Sequence, residues 1–295
     1  MNIVVRGMRA VWGWPRSGGL VHLLLPVVFA GAAMAADPSG VVTVPGTAVL
    51  PRSAEADAET YARCMKLARQ KPLEAQSLAQ AWLARGGAHP AEHCAAVALI
   101  ALGKYQEGAA RLQALAQQMT KAPPALRADV LDQAGQAWLL AGDPVRAYTA
   151  AGLAVSLQPS DPDLLIDRAE AAASAGYYDR AVTDLDRVLK THPDRVDALI
   201  YRASAYRALD RLDPARADLD KALAAAPHSA AALLERGNIR RLEGDADGAR
   251  GDWEAIGHIA PGSPEDMAAR ANLEHLASGD GAVPPAMPAG KTPPP

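Results

Sequence analysis

Apolar and small residues recur every 34 positions along the middle of the chain. Segments that begin at Pro162, Val196 and Ala230 align without gaps, and each has leucine at position 4. Positions 4, 7, 8 and 11 fall on one helical face, and positions 20, 24 and 27 fall on another. The break between the two stretches lies near position 15, at Gly176, Asp210 and Gly244. Each segment is therefore predicted to form two amphipathic helices joined by a turn.

A proline closes each segment at the same interval. These prolines are Pro159, Pro193, Pro227 and Pro261. A pair of helices of this length cannot bury its own apolar face, so successive pairs must stack on one another. The pattern predicts an all-α protein built as a solenoid of helical hairpins.

Small residues also occupy fixed places in the segments. Positions 8 and 20 hold Ala169, Ala203 and Gly237, and Ala181, Ala215 and Ala249, respectively. Together with the proline at position 32, these residues resemble the tetratricopeptide repeat (TPR) family, whose unit has the same length. The resemblance implies a right-handed α-solenoid of stacked helix-turn-helix repeats with a C-terminal capping helix.

The same register divides the chain. Four TPR units are expected over residues 128–262, preceded by two degenerate TPR-like units over residues 56–127. Ser263 fits an N-cap before a proline and two acidic residues, which predicts a capping helix over residues 263–278. Glycine and proline are abundant in residues 279–295, so a disordered Pro-rich tail is expected there.

The first residues have the features of a secretory signal peptide. Three arginines precede an apolar run over residues 20–33, and a small-x-small site ends at Ala35. We expect cleavage after Ala35, which removes residues 1–35 and leaves residues 36–55 as a flexible linker. The alternative is an uncleaved membrane anchor. Cleavage predicts a periplasmic or otherwise exported protein without stable membrane insertion.

The exported chain is expected to be acidic. Removal of the signal peptide leaves 27 basic and 33 acidic residues, a net charge of −6. Proteins that bind DNA or RNA usually carry a basic face. Nucleic acid is therefore not an expected partner.

Two cysteines, Cys64 and Cys94, are the only ones in the chain. In an oxidising compartment an even pair favours a disulfide. Each cysteine falls on the first helix of one of the two degenerate units, and such helices lie side by side in a repeat array. A bridge between them is predicted, and two buried free thiols are the alternative.

One short segment matches a catalytic motif. His89, Glu92 and His93 have the H-x-x-E-H spacing of inverted zinc peptidases. Pro90, however, fits the first position of a helix, which would place His89 at the cap and aim the two imidazoles apart. Zinc peptidase activity is therefore kept only as a remote alternative. We expect no enzyme, no metal and no cofactor.

Opposite charges occupy mirror positions of the three best-matching units. Position 7 is arginine and position 23 is aspartate in the pairs Arg168 and Asp184, Arg202 and Asp218, and Arg236 and Asp252. These positions come opposite each other in an antiparallel hairpin. Three structural ion pairs are predicted, one in each unit.

The resemblance implies that a partner binds along the concave face of the first helices. The candidate groove residues are Ile166, Glu170, Ile200, Tyr201, Ser204, Arg207, Arg211, Leu234, Asn238 and Arg241. The basic residues Arg207, Arg211 and Arg241 favour a peptide of acidic character, although they could also only solvate the face. The basic residues with which some TPR proteins clamp a C-terminal carboxylate are missing, so that mechanism is not implied.

These observations predict an exported TPR scaffold or adaptor that binds protein segments, in envelope complex assembly or organisation. The alternative is a non-catalytic accessory subunit that recruits a glycan-processing or secretion enzyme. The oligomeric state stays open.

Overall fold

The computed structural model describes residues 54–278. The predicted signal peptide, the predicted tail over residues 279–295 and nearly all of the predicted linker lie outside this range. The first helix begins at Ala54, two residues inside the expected linker over residues 36–55, because Ala54 and Glu55 are good helix formers.

Thirteen helices follow one another within residues 54–278. They are α1 (Ala54–Gln70), α2 (Pro72–Leu83), α3 (Ala88–Ala101), α4 (Tyr105–Gln118), α5 (Pro124–Leu140), α6 (Pro144–Leu157), α7 (Pro162–Ser174), α8 (Tyr178–Thr191), α9 (Val196–Ala208), α10 (Leu212–Ala225), α11 (Ala230–Leu242), α12 (Ala246–Ile259) and α13 (Pro264–Ala277).

The helices pack as six consecutive hairpins and a final helix. We call the hairpins repeat 1 (α1 and α2) to repeat 6 (α11 and α12), and α13 packs against both helices of repeat 6. The first helices also pack side by side, for example α7 against both α5 and α9. Their aligned surface is called the first-helix face below. The structure confirms the predicted all-α solenoid of helical repeats.

The turn inside each of repeats 2 to 6 contains a residue in the left-handed region. At position 15 of repeats 2 to 6, φ is 77° at Gly103, 74° at Gly142, 81° at Gly176, 58° at Asp210 and 86° at Gly244. Glycine adopts this conformation without steric cost, and aspartate tolerates it better than most residues. The break that the sequence pattern predicts is therefore the turn that reverses the chain.

Capping residues explain where several helices begin. The side chain of Asp161 accepts hydrogen bonds from the backbone N–H groups of Asp163 and Leu164 at the start of α7. Ser263 accepts one from Asp266 at 3.1 Å, at the start of α13. α5 begins at Pro124, four residues before the repeat register predicts, because proline is well suited to the first turn of a helix.

The apolar core differs between the two ends of the array. One core extends from α3 to α13 and includes large side chains such as Leu185 and Trp253. Repeats 1 and 2 contain two additional small clusters, built mostly from alanine, cysteine and valine. Repeat 1 also buries Trp82 completely.

Repeat 6 contains a tryptophan where its neighbours have a smaller side chain. Positions 8 and 24 are Ala203 and Leu219 in repeat 5, but Gly237 and Trp253 in repeat 6. A Cβ atom on Gly237 would lie 2.4 Å from Nε1 of Trp253. Because Gly237 has no side-chain methyl group, the indole of Trp253 fills the space that such a group would occupy.

Gly237→Ala is expected to destabilise the protein by about 1–3 kcal/mol, because the buried indole has to move. The double variant Gly237→Ala/Trp253→Leu restores the pair of repeat 5. It is expected to be more stable than the sum of the single changes predicts, by about 1 kcal/mol. Urea unfolding of the wild type and the three variants measures this coupling, and additive single effects would contradict it.

Candidate functional site

The three arginine–aspartate pairs predicted from the sequence are present in the structure, and each is bidentate. The Nε and Nη2 atoms of the arginine lie 2.7 and 2.5 Å from the carboxylate in Arg168–Asp184, 2.7 and 2.7 Å in Arg202–Asp218, and 2.9 and 2.6 Å in Arg236–Asp252. All three carboxylates are buried. The hydrogen bonds to Asp184 raise the pKa of the Arg168 guanidinium. These arginines join the two helices of a repeat, so they are part of the framework.

Repeats 2 and 3 have other residues in place of this arginine–aspartate pair. In repeat 3, positions 7 and 23 are Ala134 and Ala150, so two buried alanines replace the pair. In repeat 2, Arg111 at position 23 binds Glu92 in a bidentate pair at 2.7 and 3.1 Å. In the repeat register, Arg111 occupies position 23, where repeats 4 to 6 have aspartate. This arginine is the sequence signal for a pair in which the second helix carries the positive charge.

A disulfide joins the first helices of repeats 1 and 2. Cys64 on α1 and Cys94 on α3 are both fully buried, and their Cα atoms lie 6.1 Å apart. This separation is within the ordinary range for a disulfide. The buried residues clustered around the bridge are small, namely Ala79 and Ala95.

The H-x-x-E-H segment lies inside α3. The helix begins at Ala88, so His89 is in its first turn and not at the cap, as the sequence had suggested, because Pro90 lies at the third helical position. Glu92 is engaged by Arg111. Within residues 54–278, no group of three or more His, Cys, Asp and Glu side chains is arranged to hold a metal ion.

His93 links three successive first helices. Its Nδ1 atom lies 2.9 Å from the hydroxyl oxygen of Tyr61 on α1, and its Nε2 atom lies 2.9 Å from Oε1 of Gln133 on α5. These contacts fit the tautomer in which Nε2–H donates to Gln133 and Nδ1 accepts from Tyr61. Burial lowers the pKa of His93, which favours the neutral ring.

Three predicted groove residues are buried, which corrects their assignment as ligand contacts. Ile166 is 0 % exposed, Glu170 is 3 % exposed and Leu234 is 9 % exposed. Their side chains are covered by the residues packed around them. A ligand on the first-helix face would reach them only after other side chains had moved.

Four predicted groove residues are half-buried on the first-helix face. They are Ile200, Tyr201, Ser204 and Asn238. Asn238 on α11 accepts a hydrogen bond of 2.9 Å from the side-chain amide of Asn272 on α13. Both asparagines occupy position 9 of their segments, so side chains at this position can meet across neighbouring first helices.

Two of the three arginines in the predicted cationic stretch have a carboxylate partner. Nε of Arg207 donates to Glu235 at 2.8 Å, and the nearby carboxylate raises the pKa of Arg207. The exposed Arg211 lies 3.3 Å from Asp179. Arg241 is half-buried. The charge that compensates Arg207 comes from Glu235, at position 6 of repeat 6.

Acidic side chains instead collect at the centre of the first-helix face. Positions 2, 5, 6 and 9 of repeats 3 and 4 hold five carboxylates, two glutamines and one isoleucine, and no lysine or arginine. We call the five carboxylates the acidic patch; they are Asp129, Asp132, Asp163, Asp167 and Glu170. The patch lies on α5 and α7, which pack against each other.

A family model described as tetratricopeptide repeat matches residues 166–229 and 210–264. This part of the chain belongs to the TPR family. None of the curated proteins matches the sequence. Every helix within residues 54–278 is too short or too polar to cross a membrane.

Three solved TPR structures share the fold of the array. YrrB, described as a TPR protein with an unusual peptide-binding site, is 19% identical over 59% of this chain and 88% of its own, with a TM-score of 0.50. TTC0263 from Thermus thermophilus is 19% identical over 65% of this chain and 100% of its own, with a TM-score of 0.51. A TPR protein from Parabacteroides merdae is 15% identical over 76% of this chain and 87% of its own, with a TM-score of 0.55.

Proposed function

We propose that the protein is an exported, non-catalytic TPR adaptor that binds a segment of a partner protein along its first-helix face. The observation that carries this proposal is the alignment of first helices from successive repeats into one surface, on which Ile200, Tyr201 and Ser204 remain partly accessible. An extended or helical segment can lie across several repeats at once and contact each of them. YrrB, which has a related fold and is described as having a peptide-binding site, is consistent with this use of the surface.

Two features support export. The first 35 residues have the composition of a cleavable signal peptide. The bridge between Cys64 and Cys94 is of a kind that persists in oxidising compartments such as the bacterial periplasm. A role in assembling or organising an envelope complex fits an adaptor in that location.

Photo-crosslinking in the native cell tests the proposal. A photoreactive amino acid at Ser204 places the probe on the first-helix face, and the same residue at Asp220 places it on the exposed side of α10. We expect the Ser204 probe to capture one or a few protein partners that the Asp220 probe does not capture. Capture of the same proteins from both positions, or from neither, would contradict the proposal.

A further inference from the structure

We propose that α13 is the first helix of an incomplete seventh repeat, and that it binds an amphipathic helix of a partner protein in place of a second helix. The side of α13 that would receive this helix is called the α13 docking face. It consists of Met267, Arg270, Ala271 and Glu274, at positions 4, 7, 8 and 11. These positions differ from those of the first-helix face, so this inference does not depend on the proposed adaptor site.

The place where α13 begins is the first observation. The first helices of repeats 4 to 6 all begin at position 1, at Pro162, Val196 and Ala230. α13 begins at Pro264, which is position 1 of the next repeat in the same register. Asn272 of α13 also donates a hydrogen bond to Asn238 of α11, and both residues occupy position 9. α13 therefore lies in the array as a first helix does.

The exposure of the α13 docking face is the second observation. At position 4, the leucines of repeats 4 to 6 are at most 6 % exposed, whereas Met267 is 62 % exposed. At position 7, the arginine side chains of these repeats are at most 27 % exposed, whereas that of Arg270 is 66 % exposed. Ala271, at the small position 8, is exposed as well. Within residues 54–278 no helix follows α13 to cover this side.

The chain itself does not provide a helix with the required sequence. Positions 20 and 23 are alanine and aspartate in repeats 4 to 6, but Val283 and Ala286 in the residues that follow α13. Pro284, Pro285 and Pro288 fall in the same stretch, and proline in a helix interior removes a hydrogen bond and clashes with the preceding turn. In a second copy, α8, α10 and α12 are already packed in their own hairpins. These facts favour a helix from a different protein.

The repeat register specifies the charges of that helix. Position 7 faces position 23 in the three ion pairs described above. Position 11 faces position 19, because Nη1 of Arg240 donates to the carbonyl oxygen of Gly248 at 3.2 Å. On α13 these positions hold Arg270 and Glu274. The partner helix is therefore expected to have lysine or arginine at position 19, a small residue at 20, a carboxylate at 23 and a large apolar residue at 24.

Arg270 can bind a second carboxylate while it keeps its present one. Its Nε and Nη2 atoms lie 3.0 and 2.9 Å from the two carboxylate oxygens of Asp266. Arg202 shows that one guanidinium at position 7 can hold two aspartates. Its Nε and Nη2 atoms bind Asp218, and its Nη1 atom donates to Asp186 at 2.7 Å. A carboxylate of the partner helix would bind Nη1 of Arg270 in the same way.

A peptide with the sequence of α8, residues 178–191, is the probe for this face. It contains Arg180, Ala181, Asp184 and Leu185 at positions 19, 20, 23 and 24, which is the expected pattern. The peptide is labelled with a fluorophore and titrated with the purified full-length protein. We expect saturable binding of one peptide per chain.

Substitutions on the α13 docking face test where the peptide binds. Met267→Gln/Ala271→Gln is expected to weaken binding about tenfold, because it removes the apolar contact and fills the space at position 8. Leu73→Gln/Ala81→Gln makes the same kind of change at exposed positions of α2 and is expected to keep the affinity of the wild type. Equal affinities of the two variants would overturn the inference.

The charge of the peptide gives a separate test of the contact with Arg270. The Asp184→Asn peptide is expected to bind the wild-type protein about fivefold more weakly than the parent peptide. Arg270→Gln is expected to bind both peptides equally, since the carboxylate has lost its partner, and Arg270→Lys is expected to keep a preference for the parent peptide. A fivefold preference that persists in Arg270→Gln would overturn the predicted pair.

A photoreactive leucine at position 185 of the peptide identifies the surface that is occupied. Crosslinks to α13 are expected. Crosslinks confined to α7 would mean that the peptide displaces α8, and would overturn the inference. Crosslinks confined to α9 at Ser204 would overturn it and leave the adaptor proposal standing. Absence of saturable binding would overturn it as well, as would a dimer of the wild type that Met267→Gln/Ala271→Gln abolishes, because a second copy would then cover this face.

Discussion

Arg168→Met is expected to lower the free energy of unfolding by about 3–5 kcal/mol, because it leaves the carboxylate of Asp184 buried without its bidentate partner. Asp184 is 3 % exposed and receives both hydrogen bonds from Arg168 inside repeat 4. Repeat 4 lies between repeats 3 and 5. Destabilising repeat 4 therefore also weakens its interfaces with both neighbours. Urea unfolding followed by circular dichroism measures the change.

Two controls show whether the buried charge causes this effect. Arg168→Met/Asp184→Leu removes both charges, and it is expected to recover most of the lost stability, since apolar pairs often replace buried ion pairs without loss. Repeat 3 already uses two alanines at these positions. Arg187→Met removes an exposed arginine 3.8 Å from the same carboxylate and is expected to cost less than about 1 kcal/mol. Equal losses for Arg168→Met and Arg187→Met would contradict the explanation.

The repeat period predicts the framework well, because it fixes which residues of one hairpin face each other. Positions 7 and 23 lie on opposite sides of the turn at position 15, so the sequence alone was enough to pair Arg168 with Asp184. Glycine or aspartate at position 15 indicates the turn. These relations hold inside a single repeat and need no knowledge of how repeats stack.

The first-helix face was harder to predict, because it depends on how closely neighbouring repeats pack. Ile166 has the correct position number for a groove residue, yet it is 0 % exposed. Arg207 donates a hydrogen bond to Glu235, which lies 28 residues further along the chain and in the next repeat. Its guanidinium group is therefore already paired. Aligning charges across repeats, and not only within them, would have shown both the neutralised arginine and the acidic patch.

Replacing both cysteines, in Cys64→Ala/Cys94→Ala, is expected to destabilise the N-terminal repeats by about 3–4 kcal/mol, since the bridge closes a loop that the unfolded chain would otherwise leave open. The two residues are separated by 30 positions. Around them the core contains small side chains such as Ala79 and Ala95, which contribute little apolar area. The covalent link therefore supplies stability that packing provides elsewhere in the array.

The effect should be local, and hydrogen exchange can show this. In the variant, amide protection is expected to fall in α1, α2 and α3, while α9 to α12 keep the protection of the wild type, because each repeat contacts only its neighbours. Unfolding the wild type with and without a reductant gives the matching control without any substitution. An equal loss of protection from α1 to α13 would contradict a local role, and unchanged protection in α1 and α2 would show that packing alone holds the first repeat.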